Sequence, residues 1–561
     1  MLLTALTLEN FRGIRAPVRI EFAPLTLLFG PNSCGKSTIF KALQFTSAVL
    51  NAAGGDPCDA SAAAGVDLGD FRALVNDHDV SKPIRLVYEL PLRPVLPNYD
   101  PGDIFPNDGR ECLQELAGVA GPIGGNSQRE TVTLEVLYDA ERGRAYLAHY
   151  QVAIDDVPFG AIRFDPAQDQ ATITFLNYCH PVLIEADPQY QHSFASWLKS
   201  AGLSPDEDVS ALAGDNSDTQ LEDYISRHNA PPYANQAFPI ALRGYTGALG
   251  NLQAALPLVL ERSAANQPQG VTRDYQAACC LLSEGLLSPA WHLAVILKSA
   301  VFLGPLRHLP SREQAEFMAR ATPNLATGEG AWRQIIHASP AFIATLNAWL
   351  ADADKLATPY GIDVFRYREV PVTAAPPAQG DPHDASGPGS VAGVPGALTI
   401  RKRVMLKDLR RGVDLTLQDV GVGLSQLLPI LVESLRDRRG IGFGDLVGIE
   451  QPELHLHPGL QVRLADLFLV AAKTLWRHFL VETHSEHLLL RCLRRIRETT
   501  HGQGDPGRPA VTPDDIAIHF IEDTPTGPRV TRITLDEDGD FLDEWPGGFF
   551  EESFTEKFAG R

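Results

Sequence analysis

The feature that most constrains this chain is a glycine-rich segment at residues 30–37, GPNSCGKS. It matches the phosphate-binding loop pattern G-x-x-x-x-G-K-[ST] at every required position. The apolar run Leu25–Phe29 before it predicts a buried strand, and residues 38–44 after it predict a helix. Gly30 and Gly35 permit backbone angles that turn successive N–H groups towards phosphate oxygens, and the start of the helix adds positive potential. This context predicts a nucleotide-binding site.

Two side chains of the segment are expected to act on the phosphates directly. Lys36 would reach the β- and γ-phosphates, and the hydroxyl of Ser37 would ligate Mg²⁺. The other residues of the segment and the following helix that we predict to bind the nucleotide are Asn32, Ser33, Cys34, Gly35 and Thr38.

Length and hydropathy limit the number of domains and the kind of protein that we expect. At 561 residues the chain is too long for one compact core, so we expect at least two domains or one heavily inserted domain. No apolar run approaches the ~20 residues that span a bilayer, and the N-terminal residues lack the architecture of a signal peptide. We therefore expect a cytoplasmic protein without a membrane partner.

The cysteines do not suggest a covalent or metal-bound framework. The chain has 7 of them, scattered and without any C-x-x-C pair. Such an odd and sparse set argues against disulfides and against a structural zinc site. Cys34 lies inside the glycine-rich segment, where only a small side chain is needed, and we expect no redox role for it.

The formal net charge of −21 excludes a general nucleic-acid-binding surface, because neutralising phosphates requires concentrated Lys and Arg. Any contact with DNA must use a local basic patch. The candidate patches are Arg401, Lys402, Arg403, Lys407, Arg410 and Arg411; Arg436, Arg438 and Arg439; and Arg491, Arg494, Arg495 and Arg497. Solvated faces beside an acidic body are the simpler interpretation.

Between these N-terminal motifs and residue 416, the patterns predict a large insertion or second lobe. Residues 84–176 alternate as strands do, and residues 190–355 have a mostly helical pattern. The helices are predicted at 252–261, 275–284, 290–302 and 341–351. No segment sustains heptads, which excludes a long coiled coil.

A second group of motifs begins after residue 416. Gly421 and Gly423 permit a tight turn, and Ser425 and Gln426 follow at the start of an apolar helix. A serine there can cap the helix, and the exposed N–H groups make a second anion site. An ordinary capped helix is the alternative.

Two apolar strands follow this helix. The first ends in Glu450, where a phosphate-loop ATPase carries its Mg²⁺-coordinating acid. The second, residues 479–482, leads into Thr-His-Ser, and His484 could reach a γ-phosphate or the water that attacks it. The pair His455 and His457 has no further ligands nearby in sequence, so we interpret it as structural.

Together these motifs resemble the head domain of ABC-type ATPases of the RecF, SMC and OLD kind. The set comprises Asn-Phe-Arg-Gly at 10–13, the glycine-rich segment, G-x-G-x-S-Q at 421–426, E-Q-P-E-L-H-L-H-P at 450–458 and T-H-S at 483–485. More narrowly, Gly-Pro-Leu-Arg at 304–307 and Trp-Pro-Gly-Gly-Phe-Phe at 545–550 are similar to elements of bacterial AAA-like ATPases of unassigned function.

The resemblance implies an α/β fold, an ABC-ATPase head with a mixed sheet and a P-loop helix, interrupted by a large α+β insertion. The implied segments are the N-terminal ATPase core (1–54), a β-rich continuation (55–180), a mainly helical lobe (181–371), a flexible Pro/Gly-rich linker (372–397), the C-terminal ATPase core (398–500) and a small β-rich tail (501–561).

The resemblance also implies a homodimer, or a higher oligomer, whose heads enclose ATP and Mg²⁺. In such a dimer Ser425, with Gly423 and Gln426 beside it, would contact the γ-phosphate bound by the other subunit. Arg12 would lie near the nucleotide.

One position departs from the family pattern. Glu450 matches the acid that binds Mg²⁺, although Asp is commoner there, but Gln451 stands where the catalytic glutamate usually follows. Glutamine can orient a water but cannot accept its proton. We therefore expect slow hydrolysis, or recruitment of Glu453 or Glu482.

Several functions fit these features. We favour an ATP-driven dimeric switch that regulates a separate effector, nuclease or toxin-like, in prokaryotic defence against phage or plasmid DNA. A RecF-like repair ATPase that binds DNA itself is the alternative, and a transporter subunit is disfavoured by the long insertion. An OLD-type nuclease would need Asp536 and Asp538 as metal ligands, but their flanks predict a hairpin turn instead.

Overall fold

The computed structural model describes residues 2–52, 54–63, 66, 68–91, 129–177, 180, 240–242, 244–250, 252, 258–259, 273–308, 326–368, 400–436, 445–525 and 527–548. The predicted linker at 372–397, Arg438, Arg439, and the last two residues of the Trp-Pro-Gly-Gly-Phe-Phe tail lie outside them.

The chain forms two compact units. The first takes residues 1–302, 438–451 and 468–561, and the second takes residues 303–437 and 452–467. The segment boundaries implied by the resemblance stay a prediction.

The first unit contains an antiparallel sheet of nine described strands. They are β1 (Ala5–Glu9), β2 (Val18–Glu21), β4 (Ile84–Pro91), β5 (Arg129–Asp139), β6 (Arg144–Ile154), β7 (Val157–Asp165), β8 (Gln170–Leu176), β9 (Ile240–Leu242) and β10 (Leu258–Val259). Their order is β10-β9-β8-β7-β6-β5-β4-β1-β2. Residues 84–176 therefore extend the N-terminal sheet, because β4 pairs directly with β1.

A second, mixed sheet of the first unit carries the glycine-rich segment. Its strands are β3 (Leu25–Phe29), β11 (Val301–Leu303), β15 (Asp445–Glu450), β16 (Arg477–Glu482), β17 (Ile516–Thr524) and β18 (Gly527–Ile533), in the order β11-β15-β16-β3-β17-β18. The neighbours from β15 to β17 are parallel, and β18 is antiparallel to β17. Every residue of β3 and β16 is buried, as expected for central parallel strands.

Helices occur in both units of the described chain. They are α1 (Lys36–Asn51), α2 (Pro57–Ala63), α3 (Phe71–Leu74), α4 (Arg273–Ser299), α5 (Glu329–His337), α6 (Pro340–Ala351), α7 (Val422–Leu435), α8 (Pro458–Leu475) and α9 (Glu486–Thr500). α1 and α4 pack into the same buried cluster as the nine-stranded sheet, through side chains that include Phe40, Leu43, Leu287 and Leu293. This packing anchors the helix that follows the glycine-rich segment.

The second unit is built on a smaller antiparallel sheet. Its strands are β12 (Tyr360–Arg368), β13 (Ile400–Asp408) and β14 (Val413–Leu415). α5, α6, α7 and the first part of α8 belong to the same unit. Trp332 on α5 is fully buried, and its indole N–H donates to the His308 carbonyl at 3.1 Å.

The predicted fold class is confirmed, whereas some predicted elements differ. The helices expected at 275–284 and 290–302 are one helix, α4, which is followed by β11. The helix expected at 252–261 is wrong where the structure describes it, because Leu258–Val259 pairs with β9. Among the described helices α4 is the longest, at 27 residues, so a long coiled coil is absent from this part of the chain. None of the described helices is long and apolar enough to cross a bilayer.

A buried histidine in the mixed sheet gives a pH-dependent prediction. Burial, followed by the charge of Arg19, lowers the pKa of His519 to about 4, and Nε2 donates to the Glu21 carbonyl at 2.7 Å. The unfolded chain, with a pKa near 6.5, binds more protons between these values, so the free energy of unfolding falls as pH drops through this window. The loss approaches about 3 kcal/mol at pH 4.

We expect His519→Gln, which keeps a neutral donor, to lose this part of the pH dependence. Urea unfolding at pH 7 and pH 4.5 measures it, with His487→Gln, an exposed position, as the control. Equal shifts of the unfolding midpoint in His519→Gln and wild type would contradict the assignment.

Candidate nucleotide-binding site

The ends of three parallel strands bring the predicted site together at one edge of the mixed sheet. Glu450 ends β15 and lies directly opposite Glu482, which ends β16. Glu482 in turn lies opposite Leu28 of β3, two residues before Gly30. Because parallel strands end at the same edge, both carboxylates reach the glycine-rich segment.

Backbone constraints fix the shape of the segment. Gly30 has φ = 142°, and a Cβ placed there would lie 2.0 Å from the carbonyl oxygen of Ile521 on β17. Gly35 has φ = 104° and is the N-cap of α1. Because Gly35 has no side chain to cap α1, the N–H groups of its first turn remain suited to an anion.

Lys36 is folded into the segment and only 3% exposed. Its ammonium group donates to the carbonyl oxygens of Gly30 at 2.9 Å and Pro31 at 2.6 Å. It also lies 3.9 Å from Oε1 of Glu482. A triphosphate bound by the segment would compete with these two carbonyls for the same N–H donors.

Ser37 lies between the two strand-end carboxylates. Its Oγ is 2.9 Å from Oε2 of Glu482 and 3.2 Å from Oε2 of Glu450. A hydroxyl has one proton and can donate it to only one carboxylate at a time. Two carboxylate oxygens beside one hydroxyl oxygen are a donor set that suits Mg²⁺, a hard cation that prefers oxygen ligands. These residues therefore fit the predicted metal.

Gln451 directly follows β15, and His484 lies two residues after the end of β16. Burial, and secondly the charge of Lys36, lowers the pKa of His484, so its imidazole is neutral near pH 7. Gln451 has φ = 45°, and its N–H donates to the Glu482 carbonyl at 2.7 Å. Burial likewise raises the pKa of the Cys34 thiol, which keeps it protonated and unreactive.

Arg12 lies in a tight turn after β1. Its N–H donates to the Leu74 carbonyl at 2.6 Å, and its own carbonyl accepts from the Asn76 amide at 2.7 Å. Asn10 and Arg12 both have positive φ. Two hydrogen bonds thus hold the backbone of the turn, while the role of the Arg12 side chain at the nucleotide stays a prediction.

The second predicted anion site, at the start of α7, lies in the second unit. Val422 is 55% exposed there, whereas Ser425 is only 2% exposed and its hydroxyl donates to the Val422 carbonyl at 2.6 Å. A Cβ on Gly423 would lie 2.8 Å from the His455 carbonyl oxygen. The Ser425 hydroxyl is thus engaged within α7, and its predicted contact with a γ-phosphate stays a prediction.

The side chain of Gln426 forms hydrogen bonds within the second unit. Its amide Nε2 donates to the Arg307 carbonyl at 2.7 Å, and its Oε1 accepts from the Arg307 N–H at 3.2 Å. Arg307 belongs to the Gly-Pro-Leu-Arg element, which this pair of bonds ties to α7. The predicted contact of Gln426 with nucleotide stays a prediction.

Comparisons with known proteins agree with this geometry. A family model of the AAA ATPase domain matches residues 1–173 and 384–489. These two stretches are thus similar to an AAA ATPase domain. A second model, for a protein of unknown function (DUF3696), matches residues 511–558. The predicted similarity to AAA-like ATPases is thereby confirmed over the matched residues.

Similar solved structures are SMC heads. They include the SMC head domain from Thermotoga maritima (10% identical, covering 95% of this chain and 100% of that chain, TM-score 0.34). The SmcHead bound to the C-winged helix domain of ScpA is 11% identical and covers 96% and 99%, with a TM-score of 0.37. The Smc head with an extended coiled coil, bound to the C-terminal domain of ScpA derived from Pyrococcus furiosus, is 10% identical and covers 95% and 96%, with a TM-score of 0.33. No curated protein matches the chain.

The two histidines lie in the segment that leads into α8, and the predicted catalytic role of Glu453 stays a prediction. His455 adopts φ = 63° in the turn before α8, and Nδ1 of His457 accepts from the Gly459 N–H at 3.2 Å. Glu453 lies in the same turn, within the second unit. In the described part of the chain, no cluster of three or more His, Cys, Asp or Glu side chains could hold a metal.

The Asp-rich turn near the C-terminus is held by its own side chains. Oδ1 of Asp536 accepts from the N–H groups of Asp538 at 2.9 Å and Asp540 at 2.8 Å. Leu535 and Phe541 bridge across the turn. This is the hairpin turn that the flanking residues predict, with the first carboxylate engaged in holding it.

One residue of the site was underestimated from the sequence. From the sequence, Glu482 is only a possible substitute for the catalytic glutamate, yet its Oε2 lies closer to the Ser37 hydroxyl than Oε2 of Glu450 does. The signal was present, since β16, like β15, is an apolar strand that ends in glutamate.

Proposed function

We propose that this chain is an ABC-type ATPase whose heads close as a homodimer, or a higher oligomer, around ATP and Mg²⁺ and so regulate a separate effector protein. The observation that carries the proposal is the convergence of Lys36, Ser37 and Glu450 at the start of α1. A buried lysine, a hydroxyl and a strand-end carboxylate around an uncapped helix start form the arrangement that binds a nucleoside triphosphate.

Each part of the site has a defined task in this proposal. Lys36 exchanges its carbonyl partners for phosphate oxygens, and the N–H groups of the α1 start hold the β-phosphate. Ser37 and Glu450 would hold Mg²⁺, which neutralises phosphate charge when bound. Neutral His484 would lie near the γ-phosphate, and Gln451 would orient a water without accepting its proton. The expected result is tight ATP binding with slow turnover.

The start of α7 is the proposed contact with the partner's nucleotide. Its N–H groups and helix dipole favour a γ-phosphate there, and the high exposure of Val422 supports the accessibility of this end. Light scattering of the wild-type protein with and without a non-hydrolysable ATP analogue tests closure. A mass that stays monomeric at saturating analogue would contradict the dimer.

The effector, nuclease or toxin-like, and the role in defence follow from the family resemblance only. We propose that the effector binds one nucleotide state of the heads in preference to the other, in the cytoplasm. A pull-down with the product of the neighbouring gene, with and without the ATP analogue, tests this part. Capture that is identical in both conditions would contradict regulation by ATP.

A second candidate function, direct binding of DNA, is favoured by one surface. On the outer face of the β12–β13 sheet, Phe365 is 58% exposed and its ring stacks with Tyr367 at 6.3 Å between centroids. The Arg403 guanidinium lies 5.5 Å from the Tyr367 ring centroid. Lys407 and Arg401 share this face by register. Exposed aromatics interleaved with cations suit single-stranded nucleic acid.

This surface also carries the carboxylates of Asp363 and Asp414, which oppose phosphate binding. We expect Arg403→Ala with Lys407→Ala to weaken binding of a labelled oligo(dT) by about 10-fold and to reduce the log–log salt slope by about 1.4, since each single-strand phosphate contact contributes about 0.7. Lys82→Ala with Arg142→Ala removes two exposed cations of the first unit and is the matched control. Absence of binding by wild type, with or without the ATP analogue, would exclude this function.

A further inference from the structure

The carboxylate of Glu482 lies at a place in the mixed sheet that the sequence motifs do not predict. It ends the strand that lies between β15 and β3 in the mixed sheet, so it stands between Glu450 and the glycine-rich segment. The residue is only 6% exposed. A buried carboxylate is costly unless it is paired or bound to a cation, so its partners reveal its role.

The two oxygens of Glu482 face different groups. Oε1 lies 3.9 Å from the ammonium of Lys36, and Oε2 lies 2.9 Å from the hydroxyl of Ser37. Lys36 makes its short hydrogen bonds to the carbonyls of Gly30 and Pro31 instead. The closer contact of Glu482 is therefore with the residue predicted to bind the metal.

The hydroxyl of Ser37 lies beside a second carboxylate as well. Oε2 of Glu450 is 3.2 Å from the same hydroxyl, and its single proton can be shared with only one carboxylate at a time. A divalent cation would interact favourably with all three oxygens. The backbone supports the arrangement, because Glu450 and Glu482 are direct neighbours in register and the N–H of Gln451 donates to the Glu482 carbonyl.

We propose that Glu482 is a second carboxylate of the Mg²⁺ site, acting with Ser37 and Glu450. This inference rests on the proposed binding of ATP. It has a specific electrostatic consequence, because a buried and a partly buried carboxylate facing a triphosphate repel it unless a cation lies between them. The ATP affinity of this chain therefore depends on Mg²⁺ more strongly than it would with a single carboxylate at the site.

The test is the ratio of ATP affinity with Mg²⁺ to ATP affinity in EDTA, measured by calorimetry on the full chain. Glu482→Gln should lower this ratio by about 10-fold or more, by weakening binding with Mg²⁺ and relieving repulsion in EDTA. Glu450→Gln should act in the same direction. Glu141→Gln, in the exposed turn between β5 and β6, changes the net charge equally and should leave the ratio unchanged.

The possible outcomes separate this inference from the proposed function. If wild type binds no ATP in either condition, the proposed function fails. If wild type binds ATP but Glu482→Gln keeps the wild-type ratio, Glu482 is only structural and the inference is overturned. Should circular dichroism show that Glu482→Gln is unfolded, Glu482→Asp replaces it. A purely structural residue would change both ATP affinities equally, so an unchanged ratio in Glu482→Asp would overturn the inference.

Discussion

Replacing Lys36 with alanine is expected to weaken ATP binding by about 100-fold or more, equivalent to about 3 kcal/mol, while the fold survives. Lys36 is the only cation of residues 30–37, and its ammonium is buried where the phosphates are predicted to bind. Its removal leaves the start of α1 with neutral donors alone. The two carbonyls it contacts lose a partner, which lowers stability by about 1–3 kcal/mol.

Calorimetry with MgATP measures this loss, and circular dichroism checks the fold. Lys41→Ala is the matched control, because Lys41 lies on the same helix and is not among the predicted nucleotide-binding residues. Equal ATP affinities of Lys36→Ala and Lys41→Ala would show that the nucleotide site has been assigned wrongly.

Introducing a carboxylate at Val422 is expected to abolish ATP-dependent dimerisation and leave ATP binding by the monomer intact. Val422 is the first residue of α7 and is exposed, so a Glu side chain there is accommodated without repacking and repels an approaching γ-phosphate. The obvious alternative, Ser425→Arg, is less informative. Ser425 is buried, and a large side chain there would disturb the packing of the second unit.

Val422→Thr, which keeps the volume and adds no charge, is the control for Val422→Glu. The mass of each variant is measured by light scattering with the ATP analogue, and ATP affinity is measured by calorimetry. Dimerisation of Val422→Glu at the wild-type analogue concentration would rule out the start of α7 as the trans contact.

The sequence was sufficient to predict the local structure of the nucleotide site. The strand before Gly30, the helix after it and the strand ending in Glu450 all follow from apolar runs and glycine positions that act within a few residues. The pairing of β4 with β1 could not be predicted in the same way. It depends on long-range strand pairing, which alternation along a single strand does not specify.

The sequence predicts which residues form the candidate site, but not the hydrogen bonds between them. Nothing in the pattern at Lys36 indicates that its ammonium bonds to the carbonyls of Gly30 and Pro31. Likewise, a serine and a glutamine at a helix start could point outward or inward. The second unit turns Ser425 and Gln426 inward, because Arg307 and the Val422 carbonyl supply their partners.

The close approach of Gly30 to Ile521 joins the stretch matched by the AAA ATPase domain to the stretch matched by the family of unknown function. β17 lies beside β3, and Trp545 packs 5.4 Å from the Phe29 ring at the end of that strand. The stretch matched by the family of unknown function thus supplies a strand and an aromatic anchor to the ATPase fold itself. A boundary drawn between two sequence families here passes through a single sheet. A chain shortened at residue 510 would lose the support behind its own phosphate loop.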